Sequence, residues 1–158
     1  MKHLILLFLI ALPQAALAGE CDRWSASMQE DEGGPTMTAS VCQGAPTADY
    51  ELLVTCGNPG ELGMRLLALA PAESQPASDY TTDFKLSFGN EVVTRKAHYE
   101  EMDGAMVLDF RIDAPLTELM RNGTEMTVAD VTGKVAGATF SLKGAKAALK
   151  TLIQTCTK

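Results

Sequence analysis

The most regular alternation in this sequence is Met106-Val107-Leu108-Asp109-Phe110-Arg111-Ile112. Every second side chain, from Met106 to Ile112, is apolar, and Asp109 and Arg111 lie between them. Successive side chains of a β-strand point to opposite faces of its sheet, so this pattern gives the strand one apolar face and one polar face. The stretch therefore predicts an antiparallel strand buried on one side.

Strand patterns also occur on both sides of this stretch. They cover residues 23–28, 36–42, 50–56, 62–70, 80–88, 91–99, 124–131 and 138–142. Turn signals separate several of them, including Gly89-Asn90, Asp103-Gly104 and Thr132-Gly133-Lys134. Short strands joined by such turns are typical of antiparallel sheets.

Two helices are predicted among these strands. Asp113-Ala114-Pro115 opens the first, because Asp113 can cap free amides and proline is tolerated in a first turn. Gly123 is placed to end it. The second helix begins at Ala145 and runs to the C-terminal cysteine, with apolar residues at spacings of three and four.

The predicted fold class is mainly β. We expect an antiparallel β-sandwich or open barrel of about nine strands, with a short helix and a C-terminal helix packed on the sheet. A chain of 158 residues suits one such domain, which we place at residues 19–158.

Residues 1–18 are predicted to be a secretory signal peptide. Lys2 and His3 precede an apolar run, and Ala16-Leu17-Ala18 places small residues where a signal peptidase cleaves. The run is shorter than the roughly 20 residues that a membrane span needs. We therefore expect cleavage after Ala18, a periplasmic or secreted protein, and no membrane insertion after signal removal.

The four cysteines predict two disulfides, because an even number in an exported chain usually forms a disulfide framework. A hairpin of residues 23–28 and 36–42, centred on Glu30-Asp31-Glu32-Gly33-Gly34, pairs residues whose numbers sum to 63. In that register Ala26 faces Met37, and Cys21 faces Cys42. Cross-strand neighbours lie close enough for a disulfide, so we predict a Cys21–Cys42 bridge.

The remaining pair is Cys56 and Cys156. Cys56 lies on the same strand face as Leu52 and Val54, and Cys156 lies on the helix face of Leu149 and Leu152. A helix laid on the sheet would bring the two sulfurs together. We therefore predict a Cys56–Cys156 bridge, which closes a loop of about 100 residues.

The charge balance argues against nucleic acid as a partner. Lys and Arg number 13 against 20 Asp and Glu, which gives a formal net charge of −7. A phosphate backbone would find few cations to contact. A basic partner is compatible with this charge, but a solvated acidic surface is the commoner explanation of it.

No cofactor or metal site is predicted. Zinc needs three or four His, Cys or carboxylate ligands, and after signal removal His98 is the one histidine beside four bridged cysteines. Glu30-Asp31-Glu32 lacks the spaced oxygen ligands of a calcium loop. We interpret it as a solvated turn.

His98 lies close in sequence to Glu100, Glu101 and Asp103, and this is the one crowding of a base with carboxylates. A serine partner elsewhere in the chain would make a hydrolase of it, but no Gly-x-Ser-x-Gly elbow accompanies it. We interpret His98 as a surface histidine near acids and predict no catalytic residues.

Trp24, Tyr50, Tyr80 and Tyr99 are amphipathic side chains of the kind that anchor protein interfaces. Trp24 follows the core periodicity of its strand, which favours a packing role. Several methionines could form an adaptable surface or fill the core, namely Met64, Met102, Met106, Met120 and Met126.

The C-terminal segment, residues 138–156, is a strand of the form Phe-x-Leu-x-Gly followed by an Ala/Leu helix that stops at Cys156. It resembles the ending of the invasion-associated locus B family and of small periplasmic accessory proteins of type VI secretion loci. Residues 52–56 and 115–123 resemble other parts of that pattern. The resemblance implies a periplasmic β-sandwich whose central cysteine bridges to the last one. It covers about a third of the chain after the signal, and Cys21 and Cys42 lie outside it.

Taken together, these features predict a non-enzymatic periplasmic or secreted protein. We expect it to bind another envelope or secreted protein through an exposed sheet face or the loop of residues 71–79. An alternative is a periplasmic inhibitor of lysozyme-type hydrolases, since an acidic disulfide-bonded barrel suits a basic enzyme. A hydrolase using His98 is the third hypothesis. Partner identity, bound ligand and oligomeric state are left open.

Overall fold

A computed structural model describes residues 21–31, 33–44, 49–69 and 75–157. Within these ranges the chain forms one antiparallel sheet and two helices. The predicted signal peptide of residues 1–18 and its cleavage site lie outside the described residues.

Nine strands make up the sheet, in the spatial order β1-β2-β3-β4-β7-β6-β5-β8-β9. They are β1 Ser25–Asp31, β2 Gly34–Cys42, β3 Tyr50–Cys56, β4 Glu61–Ala68, β5 Thr81–Phe88, β6 Glu91–Glu100, β7 Ala105–Arg111, β8 Glu125–Asp130 and β9 Ala138–Ser141. The helices are α1 Pro115–Asn122 and α2 Ala145–Cys156. The mainly β class, the nine strands, both helices and both disulfides are confirmed, and the sheet is open.

The sheet is nearly divided between β6 and β7. These strands pair over three residues, His98 to Glu100 with Val107 to Ala105, whereas β5 and β6 pair over eight. Beyond His98 the two strands separate. The sheet thus consists of two halves, β1-β2-β3-β4-β7 and β6-β5-β8-β9, with one core of buried apolar side chains.

The alternating stretch that predicted the fold is central in the core. Met106, Leu108 and Phe110 of β7 are each about 3–4% exposed, and they pair with Leu66, Met64 and Leu62 of β4. Burial of such side chains is the main stabilising contribution to a sheet of this kind.

The predicted β1–β2 register is wrong by two residues. Ala26 pairs with Ala39 rather than Met37, because the turn is tight and Asp31 pairs directly with Gly34, a glycine at φ +103°. A shift of two residues preserves the faces. Met28, expected on the apolar face, is nonetheless 52% exposed, because β1 is an edge strand with a neighbour on one side.

The Cys21–Cys42 disulfide forms despite this shift. Asp22 adopts φ +75° and its N–H donates to the Cys42 carbonyl at 3.1 Å, so the chain folds back before β1 begins. The Cα atoms of Cys21 and Cys42 are then 4.7 Å apart. The pairing was predicted correctly, but a backbone turn rather than direct cross-strand opposition produces it.

Trp24 joins the two ends of the sheet. Its backbone N–H donates to the Lys143 carbonyl at 2.9 Å, and its indole Nε1–H donates to the Ser141 carbonyl at 2.9 Å. Its side chain is 3% exposed. The residue before β1 is thereby held against the end of β9 and the start of α2.

Gly144 permits this contact. It adopts φ +86°, and a Cβ atom there would lie 2.8 Å from the Trp24 carbonyl oxygen. An L side chain at this position would be strained by both the dihedral angle and the close approach. The start of α2 therefore depends on glycine.

Helix α2 covers one half of the sheet, as the sequence predicted. Its buried residues Ala145, Ala148, Leu149 and Leu152 form one face, and the helix contacts β1, β2 and β3. The Cys56–Cys156 disulfide fixes its C-terminal end to β3, with 5.4 Å between the Cα atoms.

Helix α1 begins differently from the prediction. Ala114 is the N-cap and no side chain caps the helix, because the Asp113 carboxylate accepts a hydrogen bond from Arg111 Nε at 2.9 Å instead. This contact lowers the pKa of Asp113. Gly123 ends the helix as predicted, and a Cβ there would lie 2.8 Å from the Leu119 carbonyl oxygen.

We expect Trp24→Phe to lower the free energy of unfolding by about 2–4 kcal/mol, because the Ser141 carbonyl loses its indole donor and the smaller ring leaves part of the buried indole volume empty. Urea denaturation followed by circular dichroism measures it. Tyr50→Phe is the matched control, since the Tyr50 hydroxyl has no partner among the described residues. Equal stabilities of the two variants would contradict the role given to the indole N–H.

Removing the two disulfides separately should have unequal effects. In the chain-entropy account, Cys56→Ala with Cys156→Ala costs about 4.7 kcal/mol, and Cys21→Ala with Cys42→Ala about 3.3 kcal/mol. The reason is loop length, since the bridged residues are 100 and 21 positions apart. Denaturation midpoints of both variants, with non-reducing peptide mapping of the wild type, check this. A larger loss from the short loop would contradict it.

Candidate functional site

The structure brings His98 close to one of its three predicted acidic neighbours. His98 Nε2 lies 3.5 Å from Glu100 Oε1, and Arg65 of β4 contacts Glu100 Oε2 at 3.2 Å and Asp103 Oδ2 at 3.5 Å. Glu101 makes no contact with His98 among the described residues. Sequence reasoning missed Arg65, which only the pairing of β4 with β7 places beside this cluster.

This cluster has the geometry of a surface ion-pair network. The side chains of His98, Glu100, Arg65 and Asp103 are 31–52% exposed. No serine or threonine hydroxyl bonds to His98 in the described part of the chain. Nucleophilic catalysis needs a nucleophile within hydrogen-bond reach of its base. Exposed pairs of this kind contribute about 0–1 kcal/mol each.

A shallow cavity of about 520 Å³ lies beside His98. Thr81, Thr82, Lys96 and Thr132 line it, together with His98. Two of these lining residues, Thr82 and Thr132, donate hydrogen bonds to a buried carboxylate, Asp130 at the end of β8. No sequence argument singled out Asp130.

Asp130 is 8% exposed and accepts five hydrogen bonds. Thr82 Oγ1 donates at 2.6 Å and Tyr80 OH at 2.7 Å. Thr132 donates its backbone N–H and its hydroxyl, both at 2.9 Å, and the Val135 N–H donates at 3.0 Å. The carboxylate therefore ties β5 and the segment before it to the β8–β9 connection.

Burial by itself would raise the pKa of Asp130. The hydrogen bonds from Thr82, Thr132, Tyr80 and Val135 outweigh burial and hold the pKa well below its usual range. A carboxylate so completely hydrogen-bonded is a poor general base, so we assign Asp130 a structural role.

A sequence signal for Asp130 existed. It continues the buried alternation of Met126 and Val128, which places an acid on the inner face, and Asp130-Val131-Thr132-Gly133 is a turn sequence. An acid on an apolar strand face must find donors, but the sequence does not show that they come from Tyr80 and Thr82.

Asp130→Asn should lower the free energy of unfolding by about 2–4 kcal/mol at pH 7, because the amide nitrogen would face hydrogen-bond donors. The lowered folded-state pKa means that the stabilisation is complete above the unfolded pKa of about 3.9 and is lost as pH falls toward the folded value. The difference in the free energy of unfolding between wild type and variant should therefore be smaller at about pH 3 than at pH 7.

Urea denaturation at pH 7 and at about pH 3 measures both effects. Asp83→Asn is the matched control, because Asp83 lies on β5 with its side chain 47% exposed and pairs loosely with Lys96 at 3.7 Å. It should change stability by less than about 0.5 kcal/mol. If the stability difference between wild type and Asp130→Asn were the same at both pH values, the Asp130 carboxyl would not be ionised in the folded protein.

The candidate interface aromatics are mostly engaged inside the fold. Trp24 bonds to Ser141, Tyr80 to Asp130, and Tyr99 OH to Gln75 Oε1 at 2.9 Å. Burial raises the pKa of Tyr50. These contacts favour packing roles over binding roles.

The five methionines considered for an adaptable surface are also mostly buried. Four are buried, namely Met64, Met106, Met120 and Met126, whereas Met102 in the β6–β7 turn is 91% exposed. A shared methionine surface is therefore not present among these five. Met102 stands alone at the tip of its hairpin.

The predicted binding loop of residues 71–79 falls partly outside the described residues, which resume at Gln75. In the part described, Tyr80 N donates to the Ala77 carbonyl at 2.9 Å, and Gln75 contacts Tyr99. The first contact closes a turn just before β5, and the second holds Gln75 against β6.

No three His, Cys, Asp or Glu side chains in the described residues are grouped to hold a metal ion. No helix in the same residues is long and apolar enough to cross a membrane.

In the described part of the chain, most of β6 has a strand neighbour on one side only, which is β5. In the β5–β6 hairpin, Phe88 pairs with Glu91 across the turn. Every second residue of an antiparallel strand exchanges backbone hydrogen bonds with its neighbour, so Glu91 and every second residue after it bond to β5. Tyr99 belongs to this set, since its N–H donates to the Tyr80 carbonyl, just before β5, at 2.9 Å. The N–H and C=O groups of Val92, Thr94 and Lys96 therefore point away from β5.

Pairing with β7 stops at His98, so β7 does not cover this edge. The Thr94 carbonyl accepts a hydrogen bond from Arg95 Nη1 at 2.8 Å. The side chain of Val92 is 55% exposed and that of Lys96 is 92% exposed. We call Val92 to Lys96 the open edge.

A groove of about 680 Å³ begins where the open edge ends. Phe88, Pro115 and Leu119 give it an apolar floor, and Glu91, the first residue of β6, lies on its wall. The remaining lining includes Gly89, Glu118, Asn122, Gly123, Thr124 and Glu125.

Comparison with protein-family models, with curated proteins and with solved structures found no match to this chain.

Proposed function

We propose that this is a non-enzymatic periplasmic or secreted protein that binds another envelope or secreted protein. The open edge of β6 carries the proposal, because backbone groups that have no neighbouring strand are a template for an extended segment of a partner. Backbone hydrogen bonds would supply affinity, and neighbouring side chains would supply specificity.

Two other observations support the compartment and the class. Cys21–Cys42 and Cys56–Cys156 are at bonding distance, which suits an oxidising compartment outside the cytoplasm. The predicted signal peptide and the resemblance to the invasion-associated locus B family point the same way. The acidic net charge of −7 disfavours nucleic acid as the partner.

The open edge is favoured over the edge of β1. No strand in the described part of the chain pairs with the outer edge of β1, but the 20 residues that precede Cys21 lie outside that part. The end of β9 is occupied, because the Ser141 carbonyl accepts from Trp24. The open edge also carries β-formers, Val92 and Thr94, which suit pairing with a further strand.

Thr94→Pro should abolish partner binding and leave the fold intact. Proline removes an N–H that points away from β5, so the β5–β6 ladder keeps its hydrogen bonds. We expect a stability change within about 1 kcal/mol. The measurement is capture of proteins from a proteobacterial envelope extract on immobilised wild type and variant, with captured species identified by mass spectrometry.

Thr94→Val is the matched control, because it keeps the N–H and the strand preference of a β-branched residue. A partner that uses the open edge should be retained by wild type and by Thr94→Val and lost by Thr94→Pro. Equal capture by all three proteins, or capture of nothing above background by the wild type, would reject the proposal.

Inhibition of lysozyme-type hydrolases is a second candidate. The groove favours it, because the carboxylates of Glu91, Glu118 and Glu125 face the solvent there and suit a basic enzyme. Lysozyme activity measured with and without the protein separates the two candidates. Unchanged lysozyme turnover at high protein excess would eliminate the inhibitor.

A further inference from the structure

We propose that the partner segment paired with the open edge carries a lysine or arginine at the end that lies beside Glu91, and that the groove binds this basic side chain. The inference rests on the proposed function, since it names the chemistry of the segment that β6 would take. The groove shape, its charge and its continuity with the open edge support it.

The groove has the shape that a long basic side chain needs. Phe88, Pro115 and Leu119 offer apolar surface, against which the methylene stem of Lys or Arg packs while its charged end stays near water. A volume of about 680 Å³ admits such a side chain with room for solvent.

The charge of the groove selects a cation. Glu91, Glu118 and Glu125 contribute carboxylates, and no lysine or arginine lines it. Arg121, the nearest cation on α1, is paired with Glu118 at 2.9 Å, and Asn122 donates to the same carboxylate at 3.1 Å. Glu91 and Glu125 have no side-chain partner in the described part of the chain.

The groove is continuous with the open edge through the backbone. Glu91 precedes Val92 directly, and its side chain is on the same face of β6 as Val93 and Arg95, the face that looks toward the other half of the sheet. A strand paired with Val92, Thr94 and Lys96 would run past Glu91 at one end. Its terminal side chain would then reach the groove.

A second copy of the chain is a weaker match for this site. Edge-to-edge pairing of two β6 strands would bring together two chains that each carry a formal net charge of −7. Like charges at close approach disfavour such pairing. A basic segment of a different protein avoids this repulsion.

The test uses three synthetic peptides with the alternating core Thr-Val-Thr-Val-Thr-Val. One carries arginine at the N-terminal end, one carries it at the C-terminal end, and one carries glutamine at both ends. Binding to the full-length disulfide-bonded protein is measured by fluorescence anisotropy. One arginine peptide should bind about fivefold to tenfold more tightly than the glutamine peptide, and the advantage should shrink at high salt.

Glu91→Gln combined with Glu125→Gln should remove the arginine advantage and leave binding of the glutamine peptide unchanged. Glu30→Gln combined with Glu101→Gln is the matched control, because both residues are exposed, lie outside the groove and change the net charge equally. This control should keep the advantage. Thr94→Pro should weaken binding of all three peptides.

These variants separate the two ideas. If the groove variant retains the arginine advantage, or if the control loses it equally, the inference is overturned while strand addition stands. If Thr94→Pro binds every peptide as wild type does, strand addition is wrong. If the wild type binds no arginine peptide at about 1 mM, the inference is also overturned.

Discussion

The fold depends on one buried tryptophan that connects the beginning of the sheet to its end. Trp24 precedes β1, yet it donates two hydrogen bonds to carbonyls at the end of β9 and before α2. An open sheet of nine strands has two outer edges, and this contact brings one end of each together. Helix α2 is placed on the sheet by the same contact at its start and by the Cys56–Cys156 bridge at its end.

A second constraint is the buried charge of Asp130. A carboxylate inside a protein must be fully hydrogen-bonded to remain ionised, and five donors meet this need. Those donors come from Tyr80, Thr82 and the β8–β9 connection, so the network joins three segments around the cavity near His98. Asp130 therefore has a structural role, while His98 lies beside an exposed network of ion pairs formed by Arg65, Glu100 and Asp103.

The opening between β6 and β7 gives the molecule its candidate binding surface. A sheet with a complete β6–β7 ladder would offer no backbone groups at its centre, whereas three residue pairs leave most of β6 uncovered on that side. The core, the disulfides and the Trp24 contact stabilise the two halves independently of this ladder. The fold therefore does not require this gap to close. The proposed binding surface combines the backbone groups of the open edge with an acidic groove at its end.

By itself, the sequence determined the features that follow from the spacing of apolar residues and cysteines along the chain. Alternation identified nine strands, helical spacing identified α2, and the strand and helix faces of Cys56 and Cys156 identified their disulfide, because side-chain direction repeats every two residues in a strand and about every 3.6 in a helix. The Cys21–Cys42 pair was predicted correctly from a register that is wrong by two residues. Only the tertiary structure decided the β1–β2 register, the Asp113–Arg111 contact in place of a helix cap, the partners of Asp130 and the open edge of β6. Each depends on which distant segment supplies a hydrogen-bonding group, and no local spacing encodes that choice.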